Sequence, residues 1–177
     1  MGLDMYLHAE EHLSKWSDEA LHSALTSQLA GVFPVTAEHS PIVVQVNAAY
    51  WRKANQVHSW FVRNVQDGED DCERYWVSRE KLTELRDTCK RILDTITWGE
   101  PVKERGILGP YEMFPDFSMD EDLASELMEP VSGFFFGSTE YGYRYGQDMK
   151  YTVEQLTKIL NAYPEDGRVS FYYQSSW

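Results

Sequence analysis

The apolar residues of this chain change period at Lys53, and that change constrains the fold more than any other feature. Upstream, "PIVVQVNAAYWR" is rich in β-branched residues and bounded by Pro41, so it reads as a strand. Downstream, Val57, Trp60, Phe61 and Val65 fall at i, i+3, i+4 and i+8, one face of a helix from about Ala54 to Gln66. A strand that runs almost directly into a helix sends Tyr50 and Arg52 to one side of the sheet and Trp51 and Lys53 to the other. One of these pairs has to lie outside the core.

The remaining segments fill in around this corner. "GLDMYLHAEEHL" alternates Leu3, Met5 and Leu7 with Asp4, Tyr6 and His8, the pattern of a half-buried first strand. Ser17 to Ala30 reads as a helix, with Ser17 as N-cap and Asp18 and Glu19 in the first turn. "CERYWVS" is a short strand, after which Ser78 caps a helix whose stripe is Leu82, Leu85, Cys89, Ile92 and Leu93. Residues 98–131, with Gly106, Gly109 and seven acids but no base between Pro110 and Pro130, read as an irregular acidic excursion carrying one short helix at "MDEDLASELM". "YTVEQLTKILNAY" is expected to be a helix with Thr152 and Gln155 as its capping box. "GRVSFYYQSSW" closes the chain as a strand that can pair beside the first. The expected fold is α+β over residues 1–177, a single domain with a mixed or largely antiparallel sheet and helices mainly on one face.

Composition excludes several function classes. With 29 acids against 16 bases, a formal net charge of −13, direct attraction to nucleic-acid phosphates is not expected. A basic partner is easier to accommodate. No run approaches the roughly 20 apolar residues of a membrane span, and the first residues lack a signal-peptide pattern, so no membrane association and a cytoplasmic location are expected. Gly2 is followed by Tyr6 where a myristoylation signal wants serine or threonine. Two cysteines are too few for a disulfide scaffold. Cys89 reads as a core thiol, and the acids before Cys72 disfavour its thiolate.

No catalytic, metal or cofactor motif stands up. "HAEEH", His8 to His12, matches an inverted zinc-protease pattern, but at the end of a strand the two histidines are about 13 Å apart at roughly 3.3 Å per residue. "SGFFFGST" lacks the lysine of a phosphate loop, and neither a dinucleotide fingerprint nor a nucleophile elbow occurs. The acids Asp116, Asp120, Glu121 and Asp122 form either ordinary solvated surface or an acidic interaction face that imitates phosphates. No calcium-loop frame surrounds them.

The candidate binding site is the corner itself. With Val57, Trp60 and Phe61 facing inward, Arg52, Asn55 and His58 would converge beside the strand end, with Lys53 nearby. Tyr141, Tyr143, Tyr145 and Arg144 would supply an opposite wall. Aromatics for stacking, a guanidinium for phosphate or carboxylate and an amide for a base edge suit a small anionic ligand. The plain alternative is that the cations neutralise neighbouring acids and His58 is a satisfied helix residue.

Taken together, "MGLDMYL", "YWRKANQVHSWF", "DDCERYWVSREKLTELRDTCKRIL" and "SGFFFGSTEYGYRYGQDMKYTVEQLTKIL" resemble a widespread family of small proteins carried by phages and bacteria, over roughly half the chain. The resemblance carries over no activity and no catalytic residues. It implies a context: a non-enzymatic accessory protein that inhibits a host anti-phage defence by binding a defence protein or sequestering a nucleotide-like signal. The alternatives are an acidic nucleic-acid mimic that blocks a DNA- or RNA-binding protein, and an enzyme with an unrecognised nucleotide site. "SDEALHSALTSQLAG" and "PVKERGILGPYEMFPDFSMDEDL" lie outside the resemblance, and activity particular to this chain would reside there.

Overall fold

The computed structural model describes residues 2–32, 42–107, 109–163, 165 and 167–177, so Pro41 lies outside the described residues. Strands β1 (Asp4–Leu13), β2 (Ile42–Arg52), β3 (Tyr75–Val77) and β6 (Val169–Ser176) form one antiparallel sheet in the order β2-β1-β6-β3. β1 lies centrally, pairing Leu7 with Ala49 on one side and with Tyr173 on the other, and a bulge between Leu7 and His8 shifts the β2 register. Period-two alternation puts Leu3, Met5, Leu7, Ala9, Ala49, Trp51, Val77, Phe171 and Tyr173 on one face, all buried. The fold is α+β, as the alternation of patterns implies.

Helices α2 (Asn55–Asn64), α3 (Arg79–Leu93) and α5 (Tyr143–Ala162) bring Val57, Phe61, Leu82, Leu85, Cys89, Ile92, Met149, Leu156 and Ile159 into the same core. Within this layer α3 packs on α5 and on α4 (Glu121–Met128), and α5 reaches β2. Phe61 stacks on Tyr173, ring centroids 3.9 Å apart, so sheet and helix layers meet through two aromatic faces. The Trp51 indole N–H donates to the Thr152 hydroxyl at 2.9 Å, and that hydroxyl donates to the Asp148 carbonyl at 2.7 Å. This buried chain locks β2 to α5.

Local sequence signals place some helix ends and miss others. Ser78 caps α3 as expected, its hydroxyl accepting from the Lys81 N–H. The first helix, α1 (Glu19–Leu29), starts later than the serine pattern implies: Asp18 is its cap, while Ser17 bonds back to Ser14. Either side chain has the chemistry, and the turn at residues 15–17 decides between them. The capping box at Thr152 is a larger correction. α5 begins at Tyr143, and Thr152 sits mid-helix, where its hydroxyl serves the Trp51 indole rather than a cap.

The 98–131 segment holds more regular structure than its composition suggests. Besides α4 it contains a hairpin of β4 (Val102–Gly106) and β5 (Gly109–Met113). Most of the hairpin is exposed, so it carries no buried face to write a period-two pattern.

Replacing Thr152 with valine keeps the shape but leaves the buried Trp51 N–H without an acceptor. The expected loss is about 1–3 kcal/mol in urea unfolding, with the slope against denaturant unchanged.

Candidate functional site

At the strand–helix corner the backbone turns on Lys53, which takes a left-handed conformation (φ 60°) while its N–H donates to the Leu3 carbonyl at 2.8 Å. The loop after α4 folds back over this turn. Gly137 approaches so closely, with φ at 108°, that a side chain there would lie 2.7 Å from the Lys53 carbonyl oxygen. Only glycine suits that position.

Asn55 fastens the loop. Its amide nitrogen donates to the carbonyls of Phe136 (3.3 Å) and Ser138 (2.9 Å), and its oxygen accepts from the Val131 N–H at 3.0 Å. Fully buried, with both amide hydrogens and its oxygen bonded to backbone, Asn55 builds the site's wall and does not face a base edge.

His58 is likewise placed away from the surface. Its Nδ1 shares a 2.7 Å hydrogen bond with the Tyr173 hydroxyl, and its Nε2 donates to Asp70 at 3.0 Å. Trp177 donates to the other Asp70 oxygen, and the Phe136 ring meets the imidazole edge-on at 5.6 Å. The expected convergence of Arg52, Asn55 and His58 therefore does not occur. The flank of α2 that periodicity leaves polar is covered by the 131–138 loop on one side and by the chain terminus on the other.

What converges instead is a cleft of about 400 Å³ between the corner and the start of α5. Arg52, Lys53, Tyr143 and Arg144 line it, joined by Gln56, Glu140 and Asp148, which the sequence did not single out. Arg52 lies 3.9 Å from Asp4 and is largely exposed. Among the described residues neither Lys53 nor Arg144 has a carboxylate within ion-pair distance. Gly142 caps α5 without a side-chain bond and the first turn has no acid, so the backbone N–H groups there add to the cationic character. Tyr143 is held flat against Phe114, centroids 3.7 Å apart; Tyr145 also lines the cleft, and Tyr141, outside the lining, packs on it.

Two acids stand among these cations: Glu140 is exposed, and Asp148 is half-buried. Its Oδ2 accepts from the Gln56 amide at 2.9 Å, and its other oxygen has no hydrogen bond among the described residues. Desolvation pushes its pKa up to about 6, against the smaller opposing effects of the Gln56 bond and the Arg144 charge. Elsewhere, burial raises the Cys89 thiol far above its ordinary value, and its Sγ contacts the Met128 sulfur. That is the chemistry of an inert core thiol.

The other candidate groups lie apart from the cleft. Asp116, Asp120, Glu121 and Asp122 are exposed, but Asp120 caps α4 by accepting from Leu123, and Glu121 and Asp122 occupy its first turn. Helix-start chemistry accounts for three of the four. In the "HAEEH" segment His8 bonds Gln45 and the buried Glu10 pairs with Arg74. Among the described residues no three histidine, cysteine or acidic side chains gather as a metal site.

Two outcomes are expected. His58→Ala strands the Tyr173 hydroxyl and Asp70, lowering stability in thermal or urea unfolding by about 2 kcal/mol or more. Asp148→Asn goes the other way. Because the folded pKa of this carboxyl lies above its unfolded value, ionisation penalises the native state, by nothing below about pH 4 and fully above about pH 6. The asparagine variant should therefore melt higher than the parent at pH 7.5, by up to about 3 kcal/mol, with the difference vanishing as pH falls to 4. No family model, curated protein or solved structure matches this chain.

Proposed function

We propose that this chain is a non-enzymatic binding protein for a small phosphate-bearing anion, held in the cleft between Lys53 and the start of α5. One observation carries the reading: Arg52, Lys53 and Arg144 line one cleft at the amino end of a 20-residue helix that has no side-chain cap, in a chain whose net charge is −13. Three cations and two acids, Glu140 and Asp148, line this cleft, a local excess of positive charge in a chain of the opposite sign. An anion there receives charge-assisted hydrogen bonds from guanidinium groups and the oriented dipoles of the first helical turn.

The resemblance to phage-carried proteins makes a host nucleotide signal the candidate ligand, and sequestration of that signal the candidate role in countering host defence. Sequestration needs no catalytic group. The buried His58, sealed between Tyr173, Asp70 and Phe136, supports a binding role over turnover, since a ligand in the cleft has no path to its nitrogens.

Titration calorimetry with pyrophosphate at low ionic strength tests the reading. Binding is expected to weaken about tenfold in Arg144→Ala and in Lys53→Ala, and to fall steadily with added salt. Absence of binding by the parent protein at millimolar pyrophosphate, or affinities unchanged in both variants, overturns it.

A further inference from the structure

The anionic end of the ligand accounts for the cations but leaves Asp148 unexplained. A half-buried carboxylate with one amide donor is only partly compensated for the water it loses, and it repels the phosphate that its neighbours attract. Asp148 and Gln56 nonetheless form part of the same lining as Arg52, Lys53 and Arg144. They differ from the rim in what they ask of a ligand: an ionised carboxylate only accepts hydrogen bonds. The portion of the ligand that reaches it must present N–H groups.

The spacing suits a nucleotide. Asp148 lies six residues beyond the Gly142 cap, about 9 Å along the α5 axis at 1.5 Å per residue. That matches the span from a mononucleotide's phosphate to the edge of its base. A phosphate at the first turn of α5 would therefore place a base edge level with Asp148.

Resting on the anion-binding reading above, we infer that the cleft selects nucleotides whose base presents two adjacent N–H donors, the guanine pattern, with Asp148 as the specificity-determining acceptor and Gln56 as the residue that positions it. Guanine offers N1–H and the 2-amino group side by side, matching the two oxygens of one carboxylate. Hypoxanthine offers N1–H alone. Adenine sets an acceptor lone pair at N1 beside its amino group, which faces a carboxylate with repulsion. Cytosine has the same defect at N3, and uracil flanks its single N–H with two carbonyls. An acceptor-only group on a cleft wall thus ranks the bases guanine, hypoxanthine, adenine. Discrimination by a bidentate pair is large enough to read directly.

Calorimetry with GMP, IMP, AMP and pyrophosphate separates the possibilities. The parent protein at pH 7.5 is expected to bind GMP at least about tenfold more tightly than AMP, with IMP between them. Asp148→Asn should bring GMP and AMP to within about twofold of each other, while pyrophosphate binds more tightly because an acid has left the cleft. Gln56→Leu, which frees the carboxylate without removing it, should shrink the GMP preference but not abolish it. Equal affinity of the parent for GMP and AMP, with pyrophosphate still bound, overturns the guanine inference and leaves the anion reading standing. So does a GMP preference that survives in Asp148→Asn. Failure of every phosphate compound to bind removes both.

Discussion

The side-chain amide of Asn55 is the constraint on which the site depends. At the first position of α2, with no side-chain cap before it, this amide makes hydrogen bonds to three backbone groups of the 131–138 segment. A loop that must pass within contact of the Lys53 carbonyl has few ways to satisfy its own polar backbone, and a buried unpaired carbonyl or amide would be unfavourable by an amount comparable to a whole hydrogen bond. Asn55 supplies both a donor and an acceptor at that point. The loop is thereby held where it forms one wall of the cleft, delivers the chain to the start of α5 and sets Phe136 against His58.

The core behind this corner is unusually polar. Asn55, Gln56, His58 and Thr152 are all buried, and each finds a partner from a different part of the chain: the loop, Asp148, Tyr173 with Asp70, and Trp51. Such a network defines one arrangement more sharply than apolar packing does, because every misplacement leaves a buried group unsatisfied. Asp148 is the exception, a half-buried carboxylate with a single amide donor. Groups of this kind lower the stability of the fold and are tolerated where another requirement keeps them.

Much of the scaffold was legible from the residues alone. The alternation of Leu3, Met5 and Leu7, the stripe of Leu82, Leu85, Cys89 and Ile92, and the switch of period at Lys53 all record which face of an element is buried. Burial was the force that shaped them. The hairpin at 102–113 and the start of α5 escaped because neither is written in apolar periodicity: the hairpin is mostly exposed, and the first turn of α5 is a run of tyrosine, arginine and glycine. For the site, the stretches around Arg52 and around Arg144 are legible as the two that face each other, whereas the burial of Asn55 and His58 is not. Helical periodicity assigns polar residues such as Asn55 and His58 to the polar side of α2, and nothing in the local pattern distinguishes Gln56 or Asp148 from other polar residues.

The sequence by itself determined the α+β class, the sheet strands, the inward stripe of α2 and α3, and the acidic balance that makes a cationic hollow worth noticing. These follow from local period and composition, which operate between neighbours a few residues apart. Only the tertiary structure decided that the polar flank of α2 is buried, that the amide of Asn55 serves the fold and the carboxylate of Asp148 faces the cleft. Those outcomes depend on pairs separated by about eighty to more than a hundred residues, Asn55 with Ser138, Gln56 with Asp148, His58 with Tyr173. A polar side chain carries no mark of which distant backbone or carboxylate will satisfy it, so its role is settled when the chain closes around it.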